Sequence, residues 1–292
     1  MNLSKIKESE LKEVFNVLEL AFKQLDVDFY LIGALARDVW YSRGQSINNV
    51  RKTKDVDFAI MIGSESQYEL LRTYLISKHN YQDTKENAFV LITPSLIQVD
   101  ILPFGGIEID DRVVIEGMGM TSINVNGFSE IFNDGTEEVE LSTGHVFKVA
   151  TLASIILLKL ISFDDRPEIR LKDARDIGNI LNHFFELEND LMYNPIHADL
   201  FHDQEALEKI SIQEIASEIA GRTIREIIIT NPALLNRIIQ ILKKHLQEAE
   251  SSLFVRNMSE EAGLPISEIL RWLNKLLVGV EKKQIKKFPC NP

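Results

Sequence analysis

Apolar residues recur at helical spacing between Leu3 and Leu25, at Leu11, Val14, Phe15, Leu18, Ala21, Phe22 and Leu25, which predicts an amphipathic helix. Phe29-Tyr30-Leu31-Ile32 is short, apolar and β-prone, and it stops at Gly33. Ala34 to Ser42 reads as a helix, so Gly33 stands at a strand-to-helix turn. A polar loop, Arg43 to Lys54, leads to a second strand at Val56 to Met61 and an amphipathic helix at Tyr68 to His79. Phe89 to Thr93 and Leu96 to Leu102 read as adjacent strands turning at Pro94-Ser95. From Gly105 to Val149 the pattern is short β segments punctuated by glycine. Helical spacing then dominates, over Leu152 to Ile161, Leu171 to Phe185, Gln204 to Ala220, Thr223 to Ile229, Leu234 to Glu248 and Ser267 to Leu277. The expected organisation is a mixed α/β domain over residues 1–190, with its core at 27–181, and an all-helical domain over 191–292. The boundary falls near Asn189 to Pro195, where polarity and proline interrupt the pattern.

Composition changes this picture little. The 292 residues are 45% hydrophobic and 26% charged, as in ordinary globular domains. No apolar run is long enough to span a bilayer, and the first residues lack a signal-peptide pattern. The single cysteine, Cys290, excludes an intrachain disulfide, so a cytoplasmic protein without membrane contact is expected. A net charge of -12 argues against a surface coated for nucleic acid, because phosphate neutralisation needs clustered Lys and Arg. Arg43, Arg51, Lys52 and Lys54 leave room for a local basic patch; Lys282, Lys283, Lys286 and Lys287 read better as solvated surface.

Three elements carry candidate chemistry. Gly33-Ala34-Leu35-Ala36-Arg37-Asp38 opens a helix, whose unpaired N–H groups and dipole favour phosphate, and glycine lets a ligand approach the backbone. In Asp55-Val56-Asp57, strand alternation sends both carboxylates to one face, roughly 7 Å apart. There they repel each other unless a divalent cation lies between them. Asp100 interrupts the otherwise apolar strand Ile97 to Phe104, which holds no lysine or arginine to pair with it. If that strand lies beside Asp55–Asp57, three carboxylates converge on a site fit for two metal ions. The six histidines show no metal-ligand spacing. Lys159 sits on a helix apolar nearly all round, either snorkelling or contacting a ligand. Asp173 and Asp176, with Lys172 and Arg175, form either a solvated charged face or part of a site.

A glycine turn, an acid-x-acid strand and a later strand with one acid, in that order, resemble the polymerase-β-like nucleotidyltransferase superfamily. Gly33 to Asp38 resembles the Gly-x-x-x-Arg-Asp form of CCA-adding enzymes. The nearer resemblance is to the AbiEii-like nucleotidyltransferases, many of them toxins of type IV toxin–antitoxin pairs. Those also carry a lysine-bearing helix and a charged Lys-Asp segment, here Leu157-Leu158-Lys159-Leu160, Asp165-Arg166 and Lys172-Asp173-Ala174-Arg175-Asp176. The resemblance covers about Val27 to Leu181. It implies an α+β, polymerase-β-like fold with a C-terminal all-helical domain. It implies that Asp55, Asp57 and Asp100 bind Mg2+ or Mn2+, with Asp100 helping to activate an acceptor hydroxyl. Gly33 and Ala34 would cradle the phosphates, Arg37 or Lys159 would contact triphosphate or acceptor, and Asp38, Lys172 and Asp173 would support them from behind. The implied reaction transfers an NMP from an NTP, such as ATP, to a hydroxyl of tRNA, protein or a small molecule, with release of pyrophosphate. A toxin-type enzyme with a cognate antitoxin partner is part of that implication. Two departures stand out: Ala34 replaces the usual Ser or Gly, and the Ser42 to Lys54 loop is longer than usual. Two other classes are weighed beside it: a catalytically silent nucleotide-binding regulator, and a helical interaction protein that binds an antitoxin.

Overall fold

The structure, a computed structural model, describes residues 7–44, 55–202 and 208–282. Arg51, Lys52 and Lys54 of the polar loop lie outside the described residues, as do Lys283, Lys286, Lys287 and Cys290.

Packing divides the chain into two compact units, Met1–Leu158 and Lys159–Pro292. This division comes earlier than the boundary expected near Asn189. The reason is α6 (Leu171–Leu187), which packs on α8 (Ile212–Ile228) and α10 (Leu253–Ala262) and so belongs with the helices that follow it.

The first unit is a mixed α/β layer structure. Its helices and strands are α1 (Glu8–Gln24), β1 (Phe29–Ile32), α2 (Gly33–Tyr41), β2 (Asp55–Met61) and α3 (Glu65–His79), followed by β3 (Gln82–Asp83), β4 (Val90–Ile92) and β5 (Gln98–Phe104). Then come β6 (Arg112–Val114), β7 (Ser122–Asn124), α4 (Phe128–Asp134), β8 (Thr136–Glu140) and β9 (Val146–Ala150). Seven strands form one sheet in the order β3-β4-β5-β2-β1-β9-β8, while β6 and β7 make a separate ribbon. The sheet is mixed: β2 runs parallel to β5 and β1 parallel to β9, while β1–β2, β4–β5 and β8–β9 are antiparallel.

Alternation along β2 sets the two faces of this sheet. Val56 and Phe58 are buried, and Phe58 packs edge-on against Phe15 and Phe22 of α1. Phe29 and Phe147 complete that aromatic cluster from the neighbouring strands. On the opposite face Tyr30 and Phe104 meet Phe128 and Phe132 of α4, and the Tyr30 hydroxyl donates to the Phe128 carbonyl at 3.0 Å. Helix α4 lies in the stretch read as β segments and turns. It is a short helix of about two turns, Phe-Ser-Glu-Ile-Phe-Asn-Asp, too brief for a helical period to declare itself.

The second unit is helical. It takes in the end of α5 (Leu152–Asp165), then α6, the short α7 (Asn189–Met192), a 3-10 turn at Pro195–Phe201, α8, α9 (Pro232–Glu248), α10 and α11 (Ile266–Glu281). Of the helices expected at Gln204 to Ala220 and Thr223 to Ile229, the parts from Ile212 on are one, α8, because Gly221 does not break the helix; residues 204–207 lie outside the described residues. Gly221 is the point where α8 and α11 cross, backbone against backbone. Among the described residues no helix is long and apolar enough to cross a membrane.

Candidate active site at the glycine corner

The chain leaves β1 at Ile32, in extended conformation, and turns into α2 at Gly33, whose φ is +72°. L-residues pay a steric cost in that region and glycine does not. Side-chain space is absent as well: a Cβ on Gly33 would overlap Asp57 Oδ2 and stand 2.6 Å from Asp57 Cγ. The first turn of α2 thus faces the carboxylate of Asp57 with nothing between them.

Register brings the acids together across the sheet. Ile32 pairs with Asp57 on β2, and Asp57 pairs with Asp100 on β5. Neighbouring strands lie about 4.8 Å apart, so the Cα atoms of Asp57 and Asp100 are separated by roughly that distance and their side chains leave the same face. Asp55 sits one pleat along β2, opposite Gln98. All three aspartates are partly exposed, whereas Val56, Phe58, Val99 and Ile101 between them are buried on the other face. Like charges directly opposite one another destabilise a sheet, so this face carries a local electrostatic cost. Gln98 relieves part of it, its Nε2 donating to Asp100 Oδ1 at 2.7 Å. Sequence reading missed Gln98; its i, i+2 spacing from Asp100 on one strand face was the available signal.

The donors are hard carboxylate oxygens, the chemistry Mg2+ or Mn2+ prefers, on a backbone frame that gathers them on one face. With the side chains as placed, no three His, Cys, Asp or Glu groups among the described residues close into a ligand set. The residues present fit such an ion in donor chemistry: carboxylates on one sheet face, with the first turn of α2 held against Asp57 because Gly33 carries no Cβ.

No protein-family model and no curated protein sequence matches this chain. Similar solved structures include the antibiotic-resistance factor ANT(2'')-Ia in solution, at 12% identity and a TM-score of 0.36, over 56% of this chain and 77% of that one. An antigenic nucleotidyltransferase-like protein from Paracoccidioides brasiliensis is similar at 17% identity and a TM-score of 0.38, over 69% and 91%. The Thermotoga maritima CCA-adding enzyme complexed with tRNA is similar at 13% identity and a TM-score of 0.25, over 92% and 80%. These likenesses are faint.

The remaining expected residues fall in two places. Ala34 is the second residue of α2 and brings no hydroxyl to the corner. Arg37 is buried one turn further on. Its Nε and Nη2 both donate to Asp38 Oδ1, at 3.2 and 2.8 Å, and its guanidinium lies over the Tyr41 ring. Lys159, Lys172 and Asp173 belong to the second unit. There Lys159 Nζ donates to Asp173 Oδ1 at 2.9 Å and Asp176 Oδ2 at 2.7 Å, joining α5 to α6. Burial opposes its charge, but the two carboxylates outweigh that and hold the ammonium above its ordinary pKa. Asp173 and Asp176 are buried and so do not belong to a solvated face, while Lys172 is exposed. Arg175 bonds Asn257 and Glu260 of α10.

Proposed function

We propose that this chain is a metal-dependent nucleotidyltransferase of the polymerase-β-like kind, moving an NMP from an NTP to an acceptor hydroxyl. One observation carries the reading: Asp57 stands in register with Asp100 on parallel neighbours while Gly33 faces Asp57 with no Cβ between them. A phosphate-binding corner and a paired-carboxylate face are two halves of one chemistry, and here they share an edge.

In this reading Asp55, Asp57 and Asp100 would hold Mg2+ or Mn2+, which would supply positive charge against the triphosphate when bound. The N–H groups at the start of α2 would receive phosphate oxygens. Asp100 takes the proton of the acceptor hydroxyl as its oxygen bonds to the α-phosphorus. The bond from that phosphorus to the β-phosphate bridge breaks, and pyrophosphate leaves. The protein's work is mainly to fix the reactants in line. The acceptor hydroxyl belongs, in this reading, to tRNA, protein or a small molecule, and a toxin-type enzyme with a cognate antitoxin is one form of it.

The test incubates the chain with Mg2+, each α-labelled NTP in turn, and total RNA and protein from the native host. Label on a macromolecule that disappears in Asp57→Asn supports the reading and names the acceptor. Transfer that survives Asp57→Asn, or no transfer with any NTP, overturns it.

A further inference from the structure

The register of β2 on β5 gives the acidic face four polar corners. Asp55 pairs with Gln98 and Asp57 with Asp100. The corners therefore stand about 4.8 Å apart across the strands and roughly 7 Å apart along them. Aspartate holds three corners and an amide holds the fourth. Val56 and Val99, which alternate with these residues, are buried on the other face. On its far side β5 pairs with β4, which sets apolar Val90 beside Asp100 and Ile92 beside Gln98.

Gln98 Nε2 donates to Asp100 Oδ1 at 2.7 Å, as short as bonds to a charged acceptor commonly are. An ionised carboxylate only accepts, so the nitrogen end of the amide is the end turned toward it. Both residues are partly exposed, and a hydrogen bond along a solvated strand face is an ordinary way to satisfy an acid. That explanation does not account for the residue type. A lysine or arginine at the fourth corner would offset more of the repulsion among the acids, but its charge would compete with a bound cation for the same oxygens. Valine or isoleucine, favoured in strands, would supply no donor. Glutamine supplies a donor and adds no charge, so it can fix the direction of the Asp100 carboxylate without taking a cation's place.

We infer that Gln98 is a positioning residue, whose amide holds the Asp100 carboxylate in the orientation needed to bind a divalent cation and to accept the proton of the acceptor hydroxyl. The inference rests on the nucleotidyltransferase reading, in which Asp100 does both. Support of this kind behind a metal-binding side chain contributes about 10–100-fold in metal affinity or activity. A carboxylate left free to turn is out of place for much of the time, and small misplacements are costly where reactants must be held in line.

The test reads Mn2+ binding to the full chain by electron paramagnetic resonance, with no nucleotide present. Wild type is expected to bind Mn2+ saturably. Gln98→Met, similar in length and without a donor, should bind it about tenfold more weakly while melting within a few degrees of wild type. Gln98→Ser, too short to reach Asp100, should do the same and decides the matter if the methionine variant does not fold. In transfer from α-labelled NTP, kcat should fall at least about tenfold with KM for the NTP within about twofold, the pattern of an interaction made in the transition state. Mn2+ affinity or kcat within about twofold of wild type overturns the inference, as does a KM that rises in step with the fall in kcat, which marks general damage to the site. The two readings fail differently. Wild type that binds Mn2+ but transfers no nucleotide sinks the proposed reaction and leaves Mn2+ affinity to decide the role of Gln98. Wild type that binds no Mn2+ overturns both.

Discussion

Gly33→Ala tests the corner directly, because the structure separates its cost into two parts. The first is backbone: alanine at a φ of +72° costs roughly 1–2 kcal/mol relative to glycine. The second is steric. The new Cβ overlaps Asp57 Oδ2, lies 2.6 Å from Cγ and 3.0 Å from Cβ. Turning Asp57 about χ1 clears the carboxylate but leaves the Cβ–Cβ contact tight, and an off-rotamer side chain costs about 0.5–1.5 kcal/mol. The expected loss in wild type is therefore about 2–3 kcal/mol.

In an Asp57→Ala background the colliding Oδ2 and Cγ are gone, and the backbone part remains together with the tight Cβ–Cβ contact at 3.0 Å. A double-mutant cycle by urea denaturation should then show coupling of about 1 kcal/mol between positions 33 and 57, where distant sites show about 0.3–0.5 or less. Additive behaviour within that margin would refute the claim that the α2 turn faces the Asp57 carboxylate, and with it the geometric basis of the proposed function.

Three further outcomes follow from the second unit. Lys159→Met leaves the buried Asp173 and Asp176 without their cation and should cost on the order of 3 kcal/mol. Since the Lys159 pKa is raised, its contribution is complete below the unfolded value of about 10.4 and is lost only as pH rises through the folded one. The stability gap to wild type should stay level from about pH 7 to 9, and a gap closing by about pH 8 would contradict the ion-pair account. His197 is buried with neither ring nitrogen bonded among the described residues, and burial, with Arg222 beside it, holds its pKa below the ordinary value. The folded state then binds that proton less readily than the unfolded chain, so stability is full above about pH 6.5 and falls as pH drops toward the folded pKa. His197→Gln should flatten that part of the curve, and an unchanged slope would show that another group is responsible. Gly221→Ala should cost more than about 3 kcal/mol by denaturation, because its Cβ would overlap the Leu276 carbonyl oxygen and stand 3.0 Å from Gly279 Cα, and backbone, unlike a side chain, cannot rotate away.

Much of the sheet was legible because its strands are bounded by breakers and their acids violate the local pattern. Phe29 to Ile32 ends at a glycine, and Asp55, Asp57 and Asp100 stand out against Val56, Phe58, Val99 and Ile101. Placing β5 beside β2 was a conjecture from the acids alone, and the parallel register Asp57–Asp100 is what it required. Less was legible where a residue's role depends on a partner far along the chain. Asp173 and Asp176 look like surface acids in a charged segment, and only the packing of α6 against α5 makes them buried partners of Lys159. The helix α10 was missed for a similar reason: Leu253 to Ala262 holds Ser, Asn and two Glu among its ten residues, and its buried set of Phe254, Val255, Asn257 and Met258 includes a polar member.

The same contrast explains why the corner, more than the acids, gives the functional reading its force. Three carboxylates on one sheet face are an electrostatic liability that many surfaces tolerate through solvent and neighbours such as Gln98. A glycine in the left-handed region is required by many strand-to-helix turns. Each alone has an ordinary explanation. Their meeting does not: a chain free to place any residue at a φ of +72° could use Asn or Asp there at modest cost, but any side chain would displace the Asp57 carboxylate. The absence of a Cβ therefore preserves the position of an acid on the neighbouring strand, and keeps the N-terminus of α2 beside that acid.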